Sequence, residues 1–389
     1  MRSGQQTGAG MEAMPVIVAL VVATTSLAGA ACPFCDVVGR PLAERRDAAT
    51  VVAVGEAAGP ARDAQGGVRQ AFAVRSVVNG GGAALDETVT ARVAGPVAGT
   101  ALLFGDESGR FEAVVADETL LGYVAQAPRA EAAAAGRLAW FARWLEHPNR
   151  AIAEDAFSEF GLAEFAAVVA AAGSLDAARL RLWVAEPGID QRRRGFYGLA
   201  LGIVARRAAE SGHDAEATAC LAALERALAA EGSDLRAGYA GLLGGLLVAR
   251  GEAALAWLRE RGLLAAETRA GDARHTLAAL RFAWEYLADA IPRDKIAAAA
   301  AGLLANPAVA ADTAVDLARW QHWESVAEVA ALWDRLGRDD PLVRRAVAGY
   351  LTACPLASAK RHAAAIAATD SDRWAAAVAA TGLPPRAAD

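Results

Sequence analysis

The spacing of hydrophobic positions changes near residue 130, and that change divides the chain. From residue 50 to about residue 116, apolar and polar positions alternate with the period of half-buried strands. Thr50-Val51-Val52-Ala53-Val54 is a short β-branched run. Across residues 68–78, Val68, Phe72, Val74 and Val78 fall on one face and Arg69 and Arg75 on the other. Across residues 87–93, Val89, Ala91 and Val93 face one way, and Thr88, Thr90 and Arg92 the other. Residues 99–104 and 111–115 complete five predicted strands. Gly66-Gly67, Asn79-Gly80-Gly81-Gly82 and the stretch from Asp106 to Gly109 supply the turns. This pattern predicts a small five-stranded β-barrel of the OB type, with residues 36–46 as a short helix or turn leading into it.

Beyond residue 130 the period becomes helical. Trp140 and Trp144 stand four apart, and Leu277, Leu280, Trp284 and Leu287 fall at i, i+3, i+7 and i+10. Val326, Val329, Ala330 and Trp333 repeat the one-faced pattern of an amphipathic helix. Asn306-Pro307 and Asp340-Pro341 place a capping residue before a proline suited to the first turn. Asn149-Arg150-Ala151-Ile152 and Asp340-Pro341-Leu342-Val343 open helices in a similar way. About 260 residues of short helices with proline-marked joints predict an irregular HEAT-like helical solenoid or bundle. All nine tryptophans lie in this half and are expected to weld helices together in the core. Gly238, Gly241 and Gly245, at i, i+3 and i+7, predict close approach by a neighbouring helix. The class is therefore α+β in two domains. Residues 1–31 read as a signal peptide, 32–128 as a Cys-Pro-Phe-Cys element with the β domain, and 129–389 as the α-helical repeat-like domain.

Composition alters this picture little. The 389 residues are 55% hydrophobic and 22% charged, with a formal net charge of −6. Removing residues 1–31 takes away one Arg and one Glu and leaves that balance unchanged. An acidic chain argues against a dedicated nucleic-acid binder, and Arg192-Arg193-Arg194 reads as a solvated helix face or loop. Lysine occurs only at Lys295 and Lys360, a compositional bias without chemical meaning.

The first thirty residues carry the clearest signal. Arg2 precedes a mostly apolar run from Pro15 to Leu27, and Ala28-Gly29-Ala30-Ala31 offers small residues for cleavage. The run is shorter than the ~20 residues a membrane span needs. Lipidation of Cys32 would favour Leu three residues earlier, where Gly29 stands. The best later apolar run, Ala240 to Ala249, is half the length of a span. The expectation is a periplasmic or secreted protein with no stable membrane span after cleavage.

Candidate chemistry rests on cysteine. Export would place Cys32 and Cys35 where disulfides persist, so a local disulfide, a redox pair and a metal site are all open to them. A c-type haem would need His at residue 36, which is Asp. Cys220 and Cys354 sit in apolar helical settings and read as buried thiols. The five histidines are scattered singly, and Trp320-Gln321-His322-Trp323 is the most suggestive local cluster. There is no metalloprotease, Walker, dinucleotide or nucleophile-elbow motif, so no catalytic, cofactor-binding or metal residue is assigned.

Two resemblances follow from these residues. Cys32-Pro33-Phe34-Cys35, Leu317-Ala318-Arg319-Trp320 and Tyr350-Leu351-Thr352-Ala353-Cys354-Pro355 resemble a group of exported bacterial proteins that pair a Cys-Pro-x-Cys start with a helical C-terminal half. That resemblance covers most of the chain and implies no activity. Val51-Val52-Ala53-Val54-Gly55, Phe72-Ala73-Val74 and Gly99-Thr100-Ala101-Leu102-Leu103-Phe104 resemble the netrin or tissue-inhibitor-of-metalloprotease module, which implies an OB-like barrel. That family begins Cys-x-Cys and braces its barrel with further disulfides, whereas here the spacing is Cys-x-x-Cys and the strands hold no cysteine. The leading functional expectation is a non-catalytic binding or scaffold protein of the cell envelope with a protein partner. The alternatives are a thiol-disulfide or metal-handling protein using Cys32 and Cys35, and a netrin-like inhibitor.

Overall fold

A computed structural model describes residue 34 and residues 39–80, 85–230 and 236–382. Helix α1 (Leu42–Ala48) leads into β1 (Val51–Ala57), β2 (Arg62–Ala64), β3 (Gly67–Gly80), β4 (Thr88–Arg92), β5 (Thr100–Gly105) and β6 (Phe111–Val115). The rest is helical: α2 (Glu118–Gln126), α3 (Ala134–Phe141), α4 (Arg150–Leu162), α5 (Phe165–Ala170), α6 (Ala177–Ala185) and α7 (Gln191–Glu210). These are followed by α8 (Asp214–Ala229), α9 (Tyr239–Arg250), α10 (Ala253–Glu260), α11 (Ala270–Tyr286) and α12 (Arg293–Ala301). The last five are α13 (Ala310–Arg319), α14 (Val326–Arg335), α15 (Pro341–Ala353), α16 (Ala357–Thr369) and α17 (Ser371–Thr381). The fold is α+β: a six-stranded sheet, then helices. Among the described residues no helix is long and apolar enough to cross a membrane.

Strand β1 pairs antiparallel with both β3 and β5; β5 pairs with β6, β3 with β4, and β4 with β6 in parallel. The pairing of these five strands returns on itself. Among the described residues the sixth, β2, pairs only with the start of β3 across the Gly66-Gly67 turn. Its Arg-Asp-Ala sequence has no apolar alternation, which is why sequence pattern passes over it.

Alternation then sets the core. Phe72 and Val74 of β3, Val89 and Ala91 of β4, Ala101 and Leu103 of β5 and Phe111 of β6 form one inner cluster. The register of β3 against β1 skips Val78 and Arg75. Each bulge flips the alternation, so Val78, assigned by period to the inner face, is half exposed. On the other side of β1 and β5, Val52, Leu102 and Phe104 join Leu42, Leu120 and Tyr123 in a second cluster that continues through the helices to Ala377.

In the helical part, α7 packs on α9, α9 on α11, α13 on α15 and α15 on α17, and each even-numbered helix from α8 to α16 packs on an odd-numbered neighbour. The α7–α9 seam needs glycine. A Cβ on Gly198 would lie 2.8 Å from Leu242 Cα, and Cβ atoms on Gly202 and Gly245 would strike the facing backbone. Glycine costs about 1 kcal/mol per helical site relative to alanine, offset here by direct backbone contact. Gly238, Gly241 and Gly245 all meet α7 closely as their spacing predicts, an added Cβ on Gly238 lying 2.7 Å from Gly195 N, and Gly238 also caps α9 at φ 80°. The tryptophans only partly meet expectation. Trp257 and Trp333 are buried, but Trp140, Trp144, Trp183, Trp284, Trp320, Trp323 and Trp374 lie half-buried at the margin of the core. There they bridge elements, as in Trp284–Trp320, stacked at 4.6 Å between α11 and α13, and Trp333–Trp374 at 5.5 Å between α14 and α17.

Candidate functional site

A concavity of about 610 Å³ runs over α13 and α15 toward the end of α17. Helical period builds it. Ala311, Val315 and Ala318 fall at i, i+4 and i+7 on α13, and Leu342, Ala346, Gly349 and Ala353 at i, i+4, i+7 and i+11 on α15. Small side chains leave the floor open. Asp340 accepts from Leu342 N at 2.8 Å and Pro341 occupies the first turn, so α15 starts with Leu342 projecting from its surface, 65% exposed. Val315 is also exposed. Arg319 and Arg345 stand at the rim, exposed and outside every ion pair among the described residues.

The groove's walls are fixed by the cluster around Trp320. Helix α13 ends with His322 N donating to Leu317 O at 2.9 Å and Gln321 left-handed at φ 58°. Tyr350, deep in the groove, donates to His322 O at 2.5 Å and meets the Trp323 ring edge-on at 5.3 Å. Burial pushes its phenol above the usual range. Arg281 of α11 pairs with buried Asp316 of α13 at 2.5 Å. The Trp-Gln-His-Trp stretch is a structural joint, and the open surface lies beside it. Such a groove can hold an extended chain by apolar contact and charge.

Cys32 and Cys35 lie outside the described residues. Phe34 between them is described, and it packs on the helical part, against Phe282 at 5.2 Å, in a slot where a Cβ on Gly244 would come within 2.8 Å of its ring. Cys220 is buried beside Arg181, 3.8 Å away, and burial raises its thiol pKa. Cys354 is buried at the end of α15. Among the described residues no three His, Cys, Asp or Glu side chains converge as a metal site. The arginine run is a correction to the sequence reading. Arg193 is buried and pairs with Glu146 at 3.0 Å, Arg192 pairs with Glu154 at 3.0 Å, and Arg194 donates to Glu186 O at 2.7 Å. The run is neither a solvated face nor a recognition patch.

One polar cluster escaped sequence reasoning. Asp155 of α4 accepts from Leu42 N at 2.6 Å and from the Tyr123 hydroxyl at 2.7 Å. One turn on, Glu159 pairs with Arg137. Burial raises both carboxyls, Glu159 to about 7, and the second oxygen of Glu159 has no hydrogen-bond partner among the described residues. A shifted carboxyl often marks catalysis, but these lie in the packing of α1 to α4 and hold α1 to the helices. The signal was available: Asp155 and Glu159 stand four apart, beside Ile152, Ala156 and Phe160 at the same helical spacing. The chain matches no protein-family model, no curated protein and no solved structure.

Proposed function

We propose that this chain is an exported, non-catalytic binding or scaffold protein of the cell envelope that holds a protein partner on its helical half. The groove over α13 and α15 carries the reading. Its alanine and glycine floor suits an extended segment with small side chains. Among the described residues Arg319 and Arg345 face one free lining carboxylate, Asp312, because Asp340 is engaged in capping its own helix, and this excess of positive charge suits acidic side chains on that segment. The architecture supports this use. The cyclic pairing of β1, β3, β4, β6 and β5, with β4 and β6 parallel, is what an OB-like barrel requires. The side-by-side odd-numbered helices have the order of a HEAT-like array, a form that presents extended binding surfaces. The segment before Cys32 supports export.

Photo-crosslinking in the producing cell tests the reading, with a benzophenone side chain at position 342 and a control at Leu182, which is 69% exposed on α6. Position 342 should yield a discrete adduct whose partner peptide, sequenced by mass spectrometry, carries acidic residues. The adduct should vanish in R319E/R345E while the thermal midpoint holds. Equal labelling at both positions, or an adduct indifferent to the charge reversal, refutes it.

A further inference from the structure

Strand register assembles a second surface that no sequence window contains. Arg62 of β2 stands opposite Arg69 of β3, Arg69 opposite Arg92 of β4, and Arg92 beside Glu112 of β6. Directly opposed residues on paired strands point to the same face. Three guanidinium groups are therefore set in a row across neighbouring strands, about 10 Å from first to last at the usual strand spacing. Like charges in this arrangement oppose folding. The inward neighbours show that the row faces outward: Gln70, Ala91 and Phe111 are buried, and Gln70 donates to Val97 O at 2.8 Å.

Arg69 and Arg92 of this row line a trough, with Arg62 beyond its margin. One lobe, about 460 Å³, is lined by Arg40, Arg45, Arg69, Arg92 and Arg110 against only two carboxylates, Asp106 and Glu112. A second lobe of about 460 Å³ shares Arg45, Arg92 and Glu112 and extends to the Gly66-Gly67 turn. Glu112 stands between the lobes and accepts from both sides: Arg45 reaches one oxygen at 3.1 Å and Arg92 the other at 3.1 Å. Arg45 is also braced over the Phe104 ring at 4.5 Å, so its guanidinium is held in place. Arg110 pairs with Asp106 at 2.9 Å. Arg62 and Arg69 form no ion pair among the described residues. Arg40 is likewise engaged, with Glu44 at 2.8 Å, which leaves Arg45, Arg69 and Arg92 around the one central carboxylate, a site where Glu112 occupies the place of a ligand anion.

We propose that this trough binds a linear acidic polysaccharide, its carboxylate or sulfate groups received by the arginine row and by Arg45. Planar guanidinium groups donate bidentately to both anions. The two joined lobes fit an extended chain better than a single small anion. The aromatic rings of the trough, Phe104 and Phe111, are buried at 6% and 8% exposure beneath the polar surface. They present no face for base stacking, the means by which single-stranded nucleic acids are held. The net charge of −6 repels polyanions from the molecule as a whole, so retention must come from a local site. This inference stands apart from the helical groove, which lies on other elements.

The test is the affinity of the full chain for heparin and for polygalacturonate at fixed ionic strength. R69A/R92A should weaken both by about ten-fold or more, while R259A/R274A on exposed helical positions changes them less than about two-fold. E112Q should tighten binding by about five-fold, since it releases Arg45 and Arg92 from their internal partner. Glu112 is half exposed and its pair with exposed Arg92 contributes little to folding, but Arg45 is mostly covered, so the thermal midpoint of each variant checks that the fold persists. Equal weakening by the trough and control pairs overturns the proposal. So does an E112Q variant no tighter than the parent. Duplex DNA, or vesicles of phosphatidylcholine and phosphatidylglycerol, bound as tightly with the same dependence on Arg69 and Arg92 would overturn the assignment to polysaccharide.

Discussion

The two halves of this molecule build their concave surfaces by different rules. On the helical side, the groove residues of α15 lie within twelve positions of one another, and a single period brings them to one face. On the strand side, Arg69, Arg92 and Glu112 are about twenty positions apart from one to the next, and only pairing unites them. The cores differ in the same sense. The inner strand cluster is small and closed, whereas the helical core continues past α1 and α2 onto the outer face of β1 and β5. A helix carries its surface with it; a strand acquires one from its neighbours.

The α7–α9 seam is the place where a single substitution should cost the helical half most. Replacing Gly202 by Leu drives a side chain into the backbone of Gly245. Overpacking of this kind costs typically 1–3 kcal/mol and here should reach about 3 kcal/mol or more, since the obstacle is backbone. Thr90→Ala, on the exposed face of β4, should stay within about 0.5 kcal/mol of the parent. Urea unfolding followed by circular dichroism compares them. A Gly202→Leu protein as stable as the parent would show that the helices are not in backbone contact.

How far the sequence foretold this structure follows the same division. The period-two runs located β1, β3, β4, β5 and β6, because each keeps alternating side chains over several residues. They missed β2 and mistook the end of β3, because a three-residue polar hairpin has no pattern and a bulge resets one. The helix-start chemistry at Asn149 and Asp340 was legible since an N-cap acts within its own turn. At Asn306 the same signal opens a turn, and the helix proper begins at Ala310, with the Asn306 amide donating to Ala266 O and Thr268 O. The candidate groove was hidden in plain alanines, whose small size makes a floor only when two helices lie side by side. The arginine trough could not be read without register.

A smaller effect should expose the joint between the halves through pH. Burial raises the Glu159 carboxyl to about 7, well above its value in the unfolded chain near 4.5. Between these values the folded protein holds a proton that the unfolded protein releases, so this group's contribution to stability falls as pH rises from about 4.5 to 7. Below that window both states are protonated and the slope from this group vanishes. Urea midpoints at pH 5, 6, 7 and 8 should decline more steeply for the parent than for Glu159→Gln. The difference accumulated across the window should be on the order of 2 kcal/mol. Parallel profiles would mean that Arg137 keeps the carboxylate charged in the fold and that burial is the weaker influence.

The smallest effect concerns the element that precedes both halves. Cys32 and Cys35 are separated by two residues, and an exported chain meets oxidising conditions. Neither of the other cysteines is a ready partner, because Cys220 and Cys354 are both buried within the helical core. A Cys32–Cys35 bond closes a very short loop, so it should stabilise the protein by less than the ~3 kcal/mol assigned to a fifteen-residue loop. Its effect should be felt where Phe34 lies, against Phe282 and Gly244 on the helices, and not against the strands. Replacing both cysteines by serine should therefore lower the thermal midpoint slightly and loosen the Phe34 slot while leaving the strand cluster untouched. Hydrogen exchange would show the change on α9 and α11, where Gly244 and Phe282 sit. Peptide mapping without reduction decides the pairing: a peptide joining Cys32 or Cys35 to Cys220 or Cys354 refutes it, since such a link would require the helical core to open.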